Sequence, residues 1–319
     1  MSAASASASA SAPASATGPA AGSRPAASPP GSGPAPLRAT RIALHVFLIG
    51  TCVVWLAPLL YAFYTALRPY ADTQSRGYVS VGGHYGFGNF STAWSQAQLP
   101  HYFLNSVYIT VPGLVLTLLL SSMVAFVVAR YSFKLNIALL TLFTAGNLLP
   151  QQAIITPLFK MYQMIPLPDW MAASGKMDDS FLGVILIHVA FQTGFCAFVL
   201  SNYMRTIPGE LTEAALVDGA SAWRQYRQII MPLCRPVLAA LATLEFTWIY
   251  NDFFWATVLM QTGSNRPITA ALNNLTGEFF VNNNLISAAA LIVAVPTLVV
   301  FFALQKQFVS GLTLGSSKG

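Results

Sequence analysis

The sequence predicts an all-α integral membrane protein with six transmembrane helices, and three observations carry that prediction. Apolar residues make up 55% of the chain and charged residues only 8%, whereas soluble domains carry about 25% charged residues. Six apolar runs, divided by polar connections, are each long enough to cross about 30 Å of hydrocarbon. Lys and Arg are also shared unequally between alternate connections, as the positive-inside rule describes for a multi-pass chain.

Taken in order, residues 1–37 are almost entirely Ala, Ser, Pro and Gly with one charge, Arg24. Such a composition cannot build a core, and a disordered cytoplasmic tail is expected. The apolar run that follows comes too late and is too long for a cleaved signal peptide. Residues 38–319 form the membrane domain. Its first span, 42–67, follows Arg38 and Arg41 and reads as an uncleaved anchor. After a polar segment come the second span, 104–129, and the third, 137–159. Asn147, Pro150, Gln151, Gln152 and Pro157 interrupt the third, so a kink is expected there. The fourth span is 181–203, the fifth 237–260 and the sixth 285–304, followed by a short polar tail.

An even number of spans puts both termini on one side. With the N-terminus inside, eleven of the sixteen Lys and Arg residues are cytoplasmic. The five outside are Arg68, Arg76, Lys160, Lys176 and Arg266. The net charge of +6 is therefore a topology signal and does not point to nucleic acid. Cys52, Cys196 and Cys234 have no pairing pattern, so three free thiols and no metal site are expected. No Gly-x-x-x-x-Gly-Lys-Ser/Thr phosphate loop occurs, so the chain does not bind ATP through that motif. The soluble connections are too short to assemble an enzyme site.

The connection 204–236 is only half apolar. Pro208 and Gly209 precede a helical run through Leu211, Ala214, Ala215 and Leu216. Gly219 is placed to stop that helix in a left-handed conformation. Ser221 can cap a second helix, on which Trp223, Tyr226, Ile229 and Ile230 share one broad face. Pro232 and Pro236 break the chain before the next span. Periodicity alone would allow an ordinary amphipathic loop on the membrane surface.

The residues themselves are more specific. Glu213-Ala214-Ala215, then Asp218-Gly219-Ala220, then Tyr226, Ile229, Pro232, Leu233 and Pro236 resemble the EAA loop of bacterial ABC-importer permeases. Tyr226 stands where that family usually has phenylalanine, and Met231 where it has leucine. The likeness extends to Asn105-Ser106, to Pro150, Gln152 and Pro157-Leu158, and to Asn251-Asp252-Phe253. The end of the chain, with Gly311, Leu312, Thr313 and Lys318, is similar to the tail of sugar-importer permeases of the maltose G type. The outer segment 168–177 is longer than the family's usual connection, and Asn282, Asn283 and Asn284 replace a frequent Asp-Trp pair.

This resemblance implies the type I ABC-importer permease fold in the bacterial cytoplasmic membrane. It implies a second, F-type permease, two ATPase subunits or a homodimeric ATPase, and an external solute-binding protein. ATP and magnesium would be bound by the ATPase, and this chain would hold no cofactor. The loop would couple to the ATPase through Glu213, Ala214, Ala215, Asp218, Gly219, Ala220, Tyr226, Ile229 and Pro232. Gly311, Leu312, Thr313 and Lys318 would contact it from the tail. The transported solute would be a sugar or oligosaccharide; the same architecture could instead carry glycerol phosphate or a polyol. An ion-coupled carrier would show internal repeats, and none is seen.

Within the fifth span, Glu245 and Asp252 are seven residues apart and predicted to share one helix face with Trp248 and Trp255. Carboxylates can accept sugar hydroxyls, and an indole can pack on a sugar's C–H face. Glu245, Trp248, Asn251 and Asp252, joined by Asn147, Gln151 and Gln152, could thus line the pathway. Pairing between neighbouring helices is the other reading of the acids. His188 is single, in the fourth span, and reads as hydrogen-bonded or interfacial.

Overall fold

The computed structural model describes residues 38–132, 134–148, 150–172, 174–275 and 281–313. The expected tail 1–37 and Lys318 lie outside them. Met1–Trp55 and Leu56–Gly319 are separate compact units. The described part of the first is the start of α1 (Arg38–Leu67), whose apolar side chains, Phe47 and Trp55 among them, are exposed.

After α1 come two short helices, α2 (Tyr70–Arg76) and α3 (Gly88–Gln96), then α4 (Leu99–Arg130). Helix α4 starts five residues before the expected span, because Pro100 suits a first helical turn. The third span is α5 (Asn136–Leu148) and α6 (Ile155–Met164), parted by Pro150 and a 3₁₀ turn over Gln151–Ile154. Helix α7 (Phe181–Thr206) is unbroken. It leads through α8 (Glu210–Val217), α9 (Ala222–Arg224) and α10 (Met231–Leu233) to α11 (Arg235–Tyr250) and α12 (Phe254–Leu259). Helices α13 (Ile268–Ala271) and α14 (Asn283–Thr313) complete the chain. Among the described residues, four helices are long and apolar enough to cross a membrane, or six spans if two bent pairs each count as one.

The core is built on α4 against α7. About half of their buried residues are small, among them Ser106, Thr110, Gly113, Thr117 and Ser121 on α4, and Gly194, Ala197 and Ser201 on α7. Small side chains let apolar helices approach closely, which is the main source of helix affinity where no water is displaced. Gly194 marks the tightest point, since a Cβ there would run into the backbone carbonyl of Phe143 on α5.

The connections at one end of the bundle are pinned by buried amides and acids. Asn105 donates to the carbonyls of Ser264 (2.8 Å) and Arg266 (2.9 Å), and Ser106 accepts from the Ile268 amide. Asn284 is fully buried and donates to Thr65, Arg68 and Thr73. The segment 168–177 is closed by an antiparallel bridge between Pro166 and Lys176. It docks through Asp179, which accepts from the amide and hydroxyl of Thr262.

Two expectations need correcting. The fifth span is not one helix, because α11 ends at Tyr250 and α12 begins at Phe254. Asp252 causes the break by accepting from the amides of Trp255 (3.2 Å) and Ala256 (3.1 Å), which caps α12. The predicted common face of Glu245 and Asp252 is therefore interrupted. The sixth span also runs past its expected end at residue 304, because α14 continues as helix through Gly311, Leu312 and Thr313.

Candidate functional site

The connection after α7 folds as two short helices around Gly219. Helix α8 has Glu210 and Glu213 in its first turn, where carboxylates favour the positive end of the helix. At its other end the amide of Gly219 donates to Leu216 (3.0 Å) and that of Ala220 to Ala215 (2.9 Å). This paired pattern closes a helix with a left-handed residue, and Gly219 has φ 74°. Ser221 then accepts from the Arg224 amide and caps α9.

From Gln225 to Ile230 the helix widens to π geometry, a local insertion that turns side chains relative to an α-helix. The predicted face is consequently split. Tyr226 and Ile230 are buried, Ile229 is half-buried, and Trp223 is exposed. Tyr226 anchors the loop: its hydroxyl is 2.8 Å from that of Ser122 on α4, and its ring meets Phe126 edge-on. Pro232 and Pro236 sit in first turns, and the axis bends by 76° between the two helices around Cys234.

Ala215, Ala220 and Tyr226 thus form the base of the loop, while Glu213, Ala214, Asp218, Gly219 and Pro232 face outward. Beside the acids lie apolar side chains that the described residues leave uncovered, Leu216 at 69% and Val217 at 88% exposure. An acidic, apolar and rigid protrusion is a surface suited to a protein partner.

A second site opens where the fifth span breaks. A cavity of about 600 Å³ is lined by Gln151, His188, Gln192, Trp248, Asn251 and Asp252, with aromatic neighbours including Trp255. His188 Nε2 stands 3.5 Å from an Asp252 oxygen. Asn251 donates to Thr247 (2.8 Å) and Thr297 (3.2 Å). Trp248 is 45% exposed and leans on Phe195, whereas Trp255 is buried against Phe191.

Glu245 does not line this cavity. It is 0% exposed and accepts from the Cys196 thiol at 3.0 Å, between α11 and α7. Gln152 is exposed and is not part of the lining. Asn147 falls on α5, but its side chain is outside what the structure describes. His188 and Gln192 enter the site unforeseen, Gln192 as a residue the sequence reading passed over. Their signal was present: two polar residues four apart on an apolar helix share a face.

Comparison with known proteins agrees with this geometry. Residues 117–313 match the family described as binding-protein-dependent transport system inner membrane component. The chain is 31% identical over 285 residues to the osmoprotective compounds uptake permease protein GgtD of Synechocystis sp., covering 87% of this chain and 92% of that one. It is 30% identical over 286 residues to the melibiose/raffinose/stachyose import permease protein MelC of Bacillus subtilis, covering 89% and 99%. In fold it is similar to a bacterial ABC transporter involved in the import of the acidic polysaccharide alginate. That likeness has a TM-score of 0.71 at 20% identity and covers 86% of this chain and all of the other.

Proposed function

Because this chain belongs to the family of binding-protein-dependent transport inner-membrane components, we propose that it is the permease subunit of an ATP-binding-cassette importer for a sugar or oligosaccharide. An external solute-binding protein delivers the solute, and a second permease completes the pathway. Partner ATPase subunits bind and hydrolyse ATP, so this chain is not itself an enzyme. Both termini and the connection after α7 face the cytoplasm. Gly311, Leu312, Thr313 and Lys318 are the tail residues that contact the ATPase in this reading.

The observation that carries this reading is the build of the α8–α9 connection. Its base is locked to α4 by Tyr226, and its closed glycine turn holds Glu213, Leu216 and Val217 outward. A docked ATPase that moves this rigid block moves α7 and α11 with it, because the block is continuous with both. Such a movement biases the bundle between two packed arrangements.

The test is co-purification of the ATPase and solute uptake at matched expression. Gly219→Leu puts a branched side chain at φ 74°, a conformation that L-residues disfavour by roughly 1–2 kcal/mol. It should leave the protein inserted and reduce both ATPase recovery and uptake. Full recovery with full uptake would remove the coupling role.

A further inference from the structure

We propose that the cavity at the break between α11 and α12 is a direct binding subsite for an uncharged saccharide, placed on this subunit and not left to its partner. The inference deepens the sugar-importer reading and rests on it. Two polar atoms point to a ligand. Gln192 Oε1 has no hydrogen-bond partner, and His188 Nε2 makes none, its nearest acceptor being the Asp252 oxygen 3.5 Å away; both residues are at least nine-tenths buried where they line the cavity. Buried polar atoms are almost always satisfied, so an unpaired pair at one opening calls for a missing partner. They lie four residues apart on α7 and so meet a solute together.

The rest of the lining defines the solute. Trp248 offers a flat indole face at 45% exposure, steadied by Phe195 with ring centres 5.5 Å apart. That surface suits the apolar C–H side of a sugar ring. Gln192 Oε1 accepts only, and so do the Asp252 oxygens, which keep lone pairs beyond their two backbone amides and the His188 Nε2 that faces one of them at 3.5 Å. Asn251 has its donors turned to Thr247 and Thr297. An acceptor-rich wall recognises hydroxyl groups. A carboxylate or phosphate would instead meet the Asp252 charge, with no Lys or Arg among the described residues that line the cavity. A glycerol phosphate or uronate cargo is disfavoured here for that reason.

The experiment uses the complete importer in proteoliposomes, with its binding protein and ATPase. Radiolabelled maltose, melibiose, cellobiose and raffinose serve as neutral probes, and digalacturonate as the anionic one. Sugar moved per ATP hydrolysed is measured, because the external protein dominates the apparent affinity. Trp248→Ala and Gln192→Leu should each lower this ratio at least fivefold for the neutral probe carried best. Binding-protein-stimulated ATP hydrolysis, which reports assembly, should stay within twofold. Trp248→Phe keeps an aromatic face and should retain at least half the native ratio. Unchanged ratios in both disruptive variants would overturn the subsite while leaving the importer reading intact. Digalacturonate carried by the native importer as well as any neutral probe would overturn the uncharged class. Carriage of no saccharide by the native importer would overturn the sugar reading itself and the subsite with it.

Discussion

The Cys196 thiol and the Glu245 carboxyl form an isolated polar contact between α7 and α11, and the second carboxyl oxygen has no partner. A fully buried acid with one bond is a structural element of the bundle, and its removal leaves a cavity. Glu245→Ala should therefore cost about 2 kcal/mol or more, by analogy with other large-to-small changes in packed interiors. It should lower the melting temperature of the purified complex while sugar moved per ATP stays near native. A lowered transport ratio at unchanged melting would return Glu245 to the pathway. Tyr226 is a milder case: Tyr226→Phe loses the hydroxyl contact with Ser122, worth about 1 kcal/mol. Its phenyl ring still fills the site against Phe126, so thermal denaturation should shift by only a few degrees and ATPase recovery should persist.

At the level of elements, helix packing is set by where backbones approach. Gly194 on α7 faces the Phe143 carbonyl on α5 with no room for a Cβ. Gly194→Val should force the helices apart at roughly 1–3 kcal/mol, the usual penalty of overpacking. The loss would appear as lower thermal stability and reduced recovery from the membrane; native stability would show that the α5–α7 contact yields freely. The long helices α4, α7 and α14 were legible in the sequence because twenty or more apolar residues leave few alternatives in a bilayer. The glycine stop at Gly219 was legible for a different reason, since few residues tolerate that backbone. The break at Asn251 to Phe253 was not foreseen. Spacing placed Glu245 and Asp252 on one face only on the assumption of a continuous helix, and Asp252 spends its carboxylate on ending that continuity. An Asp within an apolar run is also an N-cap signal, and giving it that weight would have moved attention from Glu245 to the pocket beside Asp252. The partnership of His188 and Gln192 with that pocket depends on how α7 is rotated against α11, which no single span encodes.

For the molecule as a whole, the uneven distribution of its sixteen basic residues predicts an orientation in the membrane. The structure adds a means of testing it. Gly83 is a poor place for an external probe: it has φ 107° and faces the Asp72 carboxylate, so any side chain there would be strained. Val81, in the same connection, is 91% exposed and sits in no helix. Arg227 is exposed on the segment between α9 and α10, which the charge count predicts to be cytoplasmic. Val81→Cys and Arg227→Cys, each in a chain whose native cysteines are replaced by alanine or serine, place one thiol on either side. The subunit is expressed without its ATPase, so that no partner shields the inner thiol. A membrane-impermeant maleimide should label Val81→Cys in intact cells and Arg227→Cys only after permeabilisation. Reaction of Arg227→Cys in intact cells would put the α8–α9 connection outside, away from cytoplasmic ATPase subunits, and the coupling mechanism would fail with the topology.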